Sequence, residues 1–331
     1  MRQVFAVLVA MGLAAVTVAA QSGSAGWSVP RTPDGHPDLQ AVWANNGITP
    51  MARPTQWKDK ATLTDKEVED LKTTIAKFVD QGGDAIFGNI VQLALDAKDT
   101  GKFNQTSYDP TTGNYNQFWM ADRDIDNRTS LIIDPPDGRI PPAAAGAAER
   151  ARAQAAARQG RGPADRAQDL SLSTRCVSAS TPNIRAGYQS YFDITQGPGV
   201  VALRTEMIHD TRILQIGAGP HLSSAIRQYH GDSRAHWDGD TLVVDTINFS
   251  NAGFRGSTDN LHLTEKFRRV AEDTLEYYLT VDDPTVWSRP WTLMIPLKKT
   301  GEGMFEFACH EGNYGLRSIL SGARAQEQST R

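Results

Sequence analysis

From Leu170 onward the chain is a succession of short runs rich in β-branched and aromatic residues, cut by tight turns, and this pattern most constrains the fold. The runs are Tyr188–Thr195, Val200–Thr205, Thr211–Ile216, Thr241–Phe249, Leu261–Arg268, Thr274–Val281, Trp291–Lys298 and Met304–His310. Gln196-Gly-Pro-Gly199, Asp238-Gly239 and Gly301-Glu-Gly303 are turn sequences at hairpin spacing. No helical periodicity alternates with the strands, which disfavours a βαβ architecture. The expected fold is mainly β: an antiparallel barrel, lipocalin-like, or a sandwich, with an irregular, part-helical N-terminal region.

Before Leu170 the texture differs. Residues 1–20 carry Arg2, an apolar run and small residues ahead of position 21, the pattern of a signal peptide. Export to the periplasm or outside the cell follows, with no membrane attachment after cleavage. Residues 21–140 form the irregular region expected to pack on the barrel. Prolines 30, 33, 37, 50 and 54 exclude a long helix early, and Leu39–Trp43 reads as a short strand. Thr64-Asp-Lys-Glu67 is a capping box, followed by Val68, Leu71, Ile75 and Phe78 at helical spacing, with Gly82-Gly83 as the stop. A second helix is expected from Asp84 to about Lys98, a loop over 104–122, and a strand at Thr129–Ile133 closed by Asp134-Pro-Pro-Asp-Gly138. Residues 141–169 are Ala/Arg-rich with no apolar stripe, a solvated helix or linker. The β domain is expected over 170–324 and a disordered tail over 325–331.

The net charge of −4 argues against nucleic acid as a partner and leaves a small-molecule substrate or ligand. Cys176 and Cys309 are the two cysteines, and an even count in an exported chain favours a disulfide.

Six histidines lie between His209 and His310. None falls in a metal-binding spacing, and Tyr314 stands where HExxH would need its second histidine. No cofactor is expected, although a divalent metal assembled across strands stays open. If 304–311 is extended, Cys309 shares a face with Phe305 and Phe307, while His310 points the other way with Glu306. By the same parity His209 lies with Met207 and Ile213 on an apolar face, opposite Glu206, Asp210 and Arg212. His262 points away from Leu261 and Leu263, while Glu265 shares the face of Leu263 and Phe267, where it is either a general acid or, more often for such a residue, the partner of a nearby arginine, Arg268 or Arg269. Asp245 shares the face of Val243 and Ile247.

The catalytic candidates are therefore His310, His209 and His262 for proton transfer, Glu311 or Asp210 to orient a histidine, and Arg212 for developing negative charge. Trp237, Trp291 and Tyr314 are candidates for stacking on a sugar or aromatic ring. The expected activity is acid–base lyase or hydrolase chemistry on a small polar or aromatic molecule. The alternatives are a ligand-binding barrel without reaction and an enzyme with histidine-held metal.

Two resemblances add to this reading. The segments RTPDGHPDLQAVW, RTSLIIDPPDGRIPP, EMIHDTRI, GDTLVVDTINF and ACHEGNYG together resemble an uncharacterised family of exported bacterial proteins. This resemblance implies export and one shared architecture, and brings no reaction or catalytic residue. Ala41-Val-Trp43 is similar to the first-strand Gly-x-Trp of lipocalin-like proteins, with alanine in place of glycine. That similarity implies an arginine packed on Trp43, and Arg317 stands where it would be expected.

Overall fold

A computed structural model describes residues 27–80, 90–102, 123–157, 162, 164–250 and 253–329. The expected signal peptide, the Gly82-Gly83 stop, the first residues (84–89) of the expected second helix and the whole of the 104–122 loop lie outside the described residues.

Ten strands form one antiparallel sheet: β1 Ala41–Ala44, β2 Ile132–Asp134, β3 Tyr191–Gly197, β4 Val200–Thr205, β5 Thr211–Gln215, β6 Asp232–Asp238, β7 Thr241–Ile247, β8 His262–Arg269, β9 Thr274–Asp282 and β10 Trp291–Thr300. The order is β5-β4-β3-β1-β10-β9-β8-β7-β6, with β2 added on β10. The sheet curls until its two edges approach. There Ile216 bridges Ala235, and the Gly217 N–H donates to the Ala235 carbonyl at 2.9 Å. No ladder joins β5 to β6 among the described residues, so the barrel stays incompletely closed.

The curl follows from alternation. Along β9 and β10 every second residue is buried, from Leu275 to Val281 and from Trp291 to Leu297. The inward faces fill the interior with large side chains, Trp43, Trp291, Tyr277 and Phe267 among them, each under 2 % exposed. Pro198-Gly199 makes the β3–β4 turn, where Gly199 takes a left-handed φ of 69°.

β6 is a strand that the sequence pattern does not show; His230 and His236 flank its start and body instead of a turn. Conversely, 304–310 is not a strand. Both edges of β10 are taken by β1 and β9, so this segment has no partner there. It runs irregularly and largely exposed into helix α4, Tyr314–Ser329, which includes residues 325–329 of the expected tail.

The N-terminal helices α1 (Asp65–Asp80) and α2 (Ile90–Thr100) pack a second small core from Leu63, Leu71, Ile75, Val91 and Leu95. The capping box is formed: the Glu67 N–H donates to Thr64 Oγ1 at 3.3 Å and the Thr64 N–H to Glu67 Oε2 at 2.9 Å. Helix α3, Ala147–Ala157, buries none of its residues, as the Ala/Arg composition implies. Cys176 and Cys309 are disulfide-bonded across 133 residues.

Trp43 carries its arginine, but the residue is Arg269 of β8, not Arg317, which lies in α4. The Arg269 guanidinium sits 5.6 Å from the Trp43 ring and donates to the carbonyls of Asp38 at 2.9 Å and Glu272 at 2.7 Å.

Candidate functional site

One group of polar residues lies together inside the barrel. The backbone around it departs from regular geometry. Gly231, φ 70°, lets the chain enter β6 against β7; a Cβ there would meet Thr246 Cγ2 at 2.7 Å and the Ile247 carbonyl at 2.8 Å. This close approach positions His230. On the facing side Ser180, Ile208 and His209 hold left-handed φ values of 90°, 58° and 47°. Such conformations persist only where the surroundings enforce them.

The deepest layer is an ion pair. Arg212 of β5 donates to Glu265 of β8 through Nη1 at 3.0 Å and Nη2 at 2.7 Å. Nη2 also donates to Ser233 and Thr246, both at 3.0 Å. The Tyr277 hydroxyl donates to Glu265 Oε1 at 2.8 Å. Glu265 thus finds its arginine on the far edge strand, not at Arg268 or Arg269. Burial and the Glu265 charge push the Tyr277 hydroxyl far above its usual range, so it remains a donor. Burial opposes the charge on Arg212, but Glu265 outweighs it and holds the guanidinium protonated.

Above this pair sit Asp210, His230 and Thr181. Asp210 Oδ2 accepts from Ser178 Oγ at 3.0 Å and from the Ala179 N–H at 2.8 Å, and its Oδ1 lies 3.5 Å from His230 Nε2. His230 Nδ1 lies 2.8 Å from Thr181 Oγ1. Burial lowers the pKa of His230, Asp210 opposes this and Arg212 reinforces it, so the neutral imidazole is favoured. Asp210, Arg212, His230, Thr181, Glu265 and Tyr277 together line a cavity of about 20 Å³, room for about one water molecule.

Of the expected catalytic residues, Asp210 and Arg212 belong to this site and the others do not. His209 and Ile213 do not share an apolar face, because the 207–209 turn breaks the assumed strand; both are exposed and Arg212 points inward instead. His209 Nδ1 contacts the Phe307 carbonyl at 3.0 Å. His310 and Glu311 are exposed in the irregular segment, so strand parity does not apply to them. His262 lies outside the barrel, 2.5 Å from Asp245 Oδ2; Asp245 Oδ1 is 2.8 Å from His221, whose other nitrogen is 2.9 Å from buried Asp232. The three expected histidines therefore do not converge. The expected stacking residues are also scattered: Trp291 is fully buried in the core, Trp237 stacks on His36, and Tyr314 is 75 % exposed on α4. Sequence reasoning missed His230 and Thr181. The Gly-Asp after His230 marks a strand entry, but nothing local places Thr181 opposite it.

Among the described residues no group of three His, Cys, Asp or Glu side chains has a metal-holding arrangement. No helix among them is long and apolar enough to cross a membrane.

No family model and no curated protein matches this chain. Among solved structures, a secretary abundant heat soluble (SAHS) protein from Ramazzottius varieornatus is similar at 11% identity, covering 33% of this chain and 70% of that one, with a TM-score of 0.23, too low to carry an argument.

Proposed function

We propose that the chain is an exported enzyme performing acid–base hydrolase or lyase chemistry on a small polar molecule, with His230 as the base. One observation carries the reading. Asp210, His230 and Thr181 line the same cavity as a buried arginine, inside an otherwise apolar barrel. The neutral imidazole accepts a proton near pH 7, and the adjacent Asp210 carboxylate stabilises the cation that results. The Arg212 Nε–H is buried with no partner among the described residues, a donor available to developing negative charge. Export is supported by the disulfide and by the N-terminal sequence pattern. Barrel transport of a bulky apolar ligand draws no support from an interior occupied by Trp43, Trp291 and Phe267.

The test is a screen of the purified protein against ester, lactone and glycoside panels, with His230→Gln and Asp210→Asn alongside. Loss of a positioned base lowers turnover by about 10²–10⁴-fold. Wild-type turnover by folded His230→Gln would overturn the reading.

A further inference from the structure

We propose that Thr181 is a nucleophile and that the site hydrolyses esters of small acyl groups through an acyl-threonine intermediate. The inference rests on the acid–base reading of the same cavity and goes beyond it by naming a covalent step and a substrate class.

No nucleophile motif stands in the sequence, yet the fold assembles the required order in space. Thr181 Oγ1 is 2.8 Å from His230 Nδ1, and His230 Nε2 is 3.5 Å from Asp210 Oδ1. Nucleophile, base and orienting carboxylate are thus in sequence, the arrangement that activates an otherwise weak hydroxyl. The Asp210 contact is longer than a hydrogen bond, and such contacts commonly tighten when substrate binds. Asp210 is itself fixed by Ser178 and the Ala179 N–H, from the segment that carries Thr181. One short stretch therefore supplies the nucleophile and anchors the carboxylate. Ser180, immediately before Thr181, is held at a φ of 90°, a non-glycine conformation that fixes the direction of the chain. The cavity has room for about one water molecule, so an acyl group reaches Thr181 only where the cavity widens, which limits the substrate to the smallest acyl groups.

The step balances. Thr181 Oγ1 bonds to the ester carbonyl carbon as its proton passes to His230 Nδ1. The tetrahedral oxyanion collapses, the bond from carbonyl carbon to leaving oxygen breaks, and His230 returns the proton to the alcohol. Water then attacks the acyl-threonine by the same route and frees the acid and Thr181.

The test uses the full disulfide-bonded chain with p-nitrophenyl acetate, acid-quenched before turnover is complete and mapped by peptide mass spectrometry. The expected result is an acetyl group on Thr181 and a burst of p-nitrophenol. Both are lost in Thr181→Val, which keeps the side-chain shape, while Thr181→Ser keeps the burst. His230→Gln slows acylation at least about 100-fold. Hydrolysis that depends on His230 but leaves Thr181 unmodified and survives Thr181→Val overturns the nucleophile and leaves the acid–base reading standing. Hydrolysis unaffected by either substitution overturns both. A folded protein, judged by its thermal transition, that gives neither adduct nor burst also overturns the nucleophile.

Discussion

Arg212 and Glu265 lie 53 residues apart in sequence and meet inside the barrel in a two-pronged ion pair, their side chains 9% and 1% exposed. The pair ties edge strand β5 to β8 across the interior, and through Ser233 and Thr246 to β6 and β7. It spans the seam where no ladder closes the sheet. Removing one partner leaves the other charge buried and uncompensated, at a cost of about 3–5 kcal/mol. Glu265→Gln and Arg212→Met should each lose that much in urea unfolding. The double variant Arg212→Met/Glu265→Leu should recover part of it, because no lone charge remains. A loss below about 1 kcal/mol in both single variants would show that water reaches the pair.

His230 sets a pH dependence whose sign follows from its lowered pKa. Between the folded value and the unfolded reference of 6.5 the unfolded chain binds the proton and the folded one does not. Stability should therefore be complete above 6.5 and decline as pH falls toward the folded value, with no further loss from this group below it. If His230 is the base, turnover falls through the same window with a midpoint under 6.5. Urea midpoints for wild type and His230→Gln across pH 4–8 check this; in His230→Gln this component of the slope should vanish.

The antiparallel sheet was legible because period-two alternation is strongest where one face is fully buried, as in β9 and β10. β6 was not. Its sequence Asp-Ser-Arg-Ala-His-Trp-Asp is polar because Ser233 and Asp232 face partners, not solvent. The alternation of Phe305 and Phe307 mimicked a strand, yet pairing needs a free edge as well as a pattern. His209 was misplaced for a different reason. Parity assumes an unbroken strand, and the positive φ of Ile208 and His209 breaks it in the 207–209 turn. The site was half legible: Asp210 and Arg212 sit in a charged run, whereas Thr181 and His230 meet only through a contact 49 residues apart.

Arg269 makes a third specific prediction. It stacks on Trp43 and caps the carbonyls of Asp38 and Glu272, fixing the chain that enters β1. A lysine keeps the charge but cannot reach both carbonyls in a planar fork. Arg269→Lys should destabilise by about 1–2 kcal/mol and Arg269→Ala by more, each loss comprising hydrogen bonds and the cation–π contact. Arg317→Ala should change unfolding little by comparison. Equal effects of Arg269→Ala and Arg317→Ala in parallel denaturation curves would refute the assignment.

The disulfide joins the segment leading to Thr181 with the irregular chain after β10. Closing 133 residues is worth about 4–5 kcal/mol in the chain-entropy model. Cys176→Ser/Cys309→Ser should lower stability by up to that amount. The loss has a local signature too. Phe307 contacts His209 through its carbonyl, and Asn313 donates to the Thr174 carbonyl, so both contacts depend on the tether. Limited proteolysis should cut the variant first within 301–313, where the oxidised protein is more resistant. Cleavage at the same rate in both would mean that the tether does not order this segment.

Outside the barrel, Asp245 is shared by two histidines, and this arrangement predicts where the chain opens first in acid. Burial works to raise its pKa, but hydrogen bonds from His262 and His221, with their charges, carry it below the ordinary 3.8. The contribution to stability is therefore full above 3.8 and lost as pH falls through the lower folded value. His221 also contacts Asp232, which accepts from the Leu222 N–H at 2.8 Å and pairs with Arg234. The Asn248 side chain donates to the Leu222 carbonyl, so the 221–228 segment is pinned to β6 and β7 through this cluster. In Asp245→Asn the carboxylate that both histidines share is gone, a loss of about 0.5–1.5 kcal/mol at this partly exposed cluster. Hydrogen exchange should then accelerate at Leu222 and Gln228 at neutral pH while β9 and β10 keep their protection. Uniform acceleration across the sheet would instead mean that Asp245 supports global stability and not the attachment of this segment.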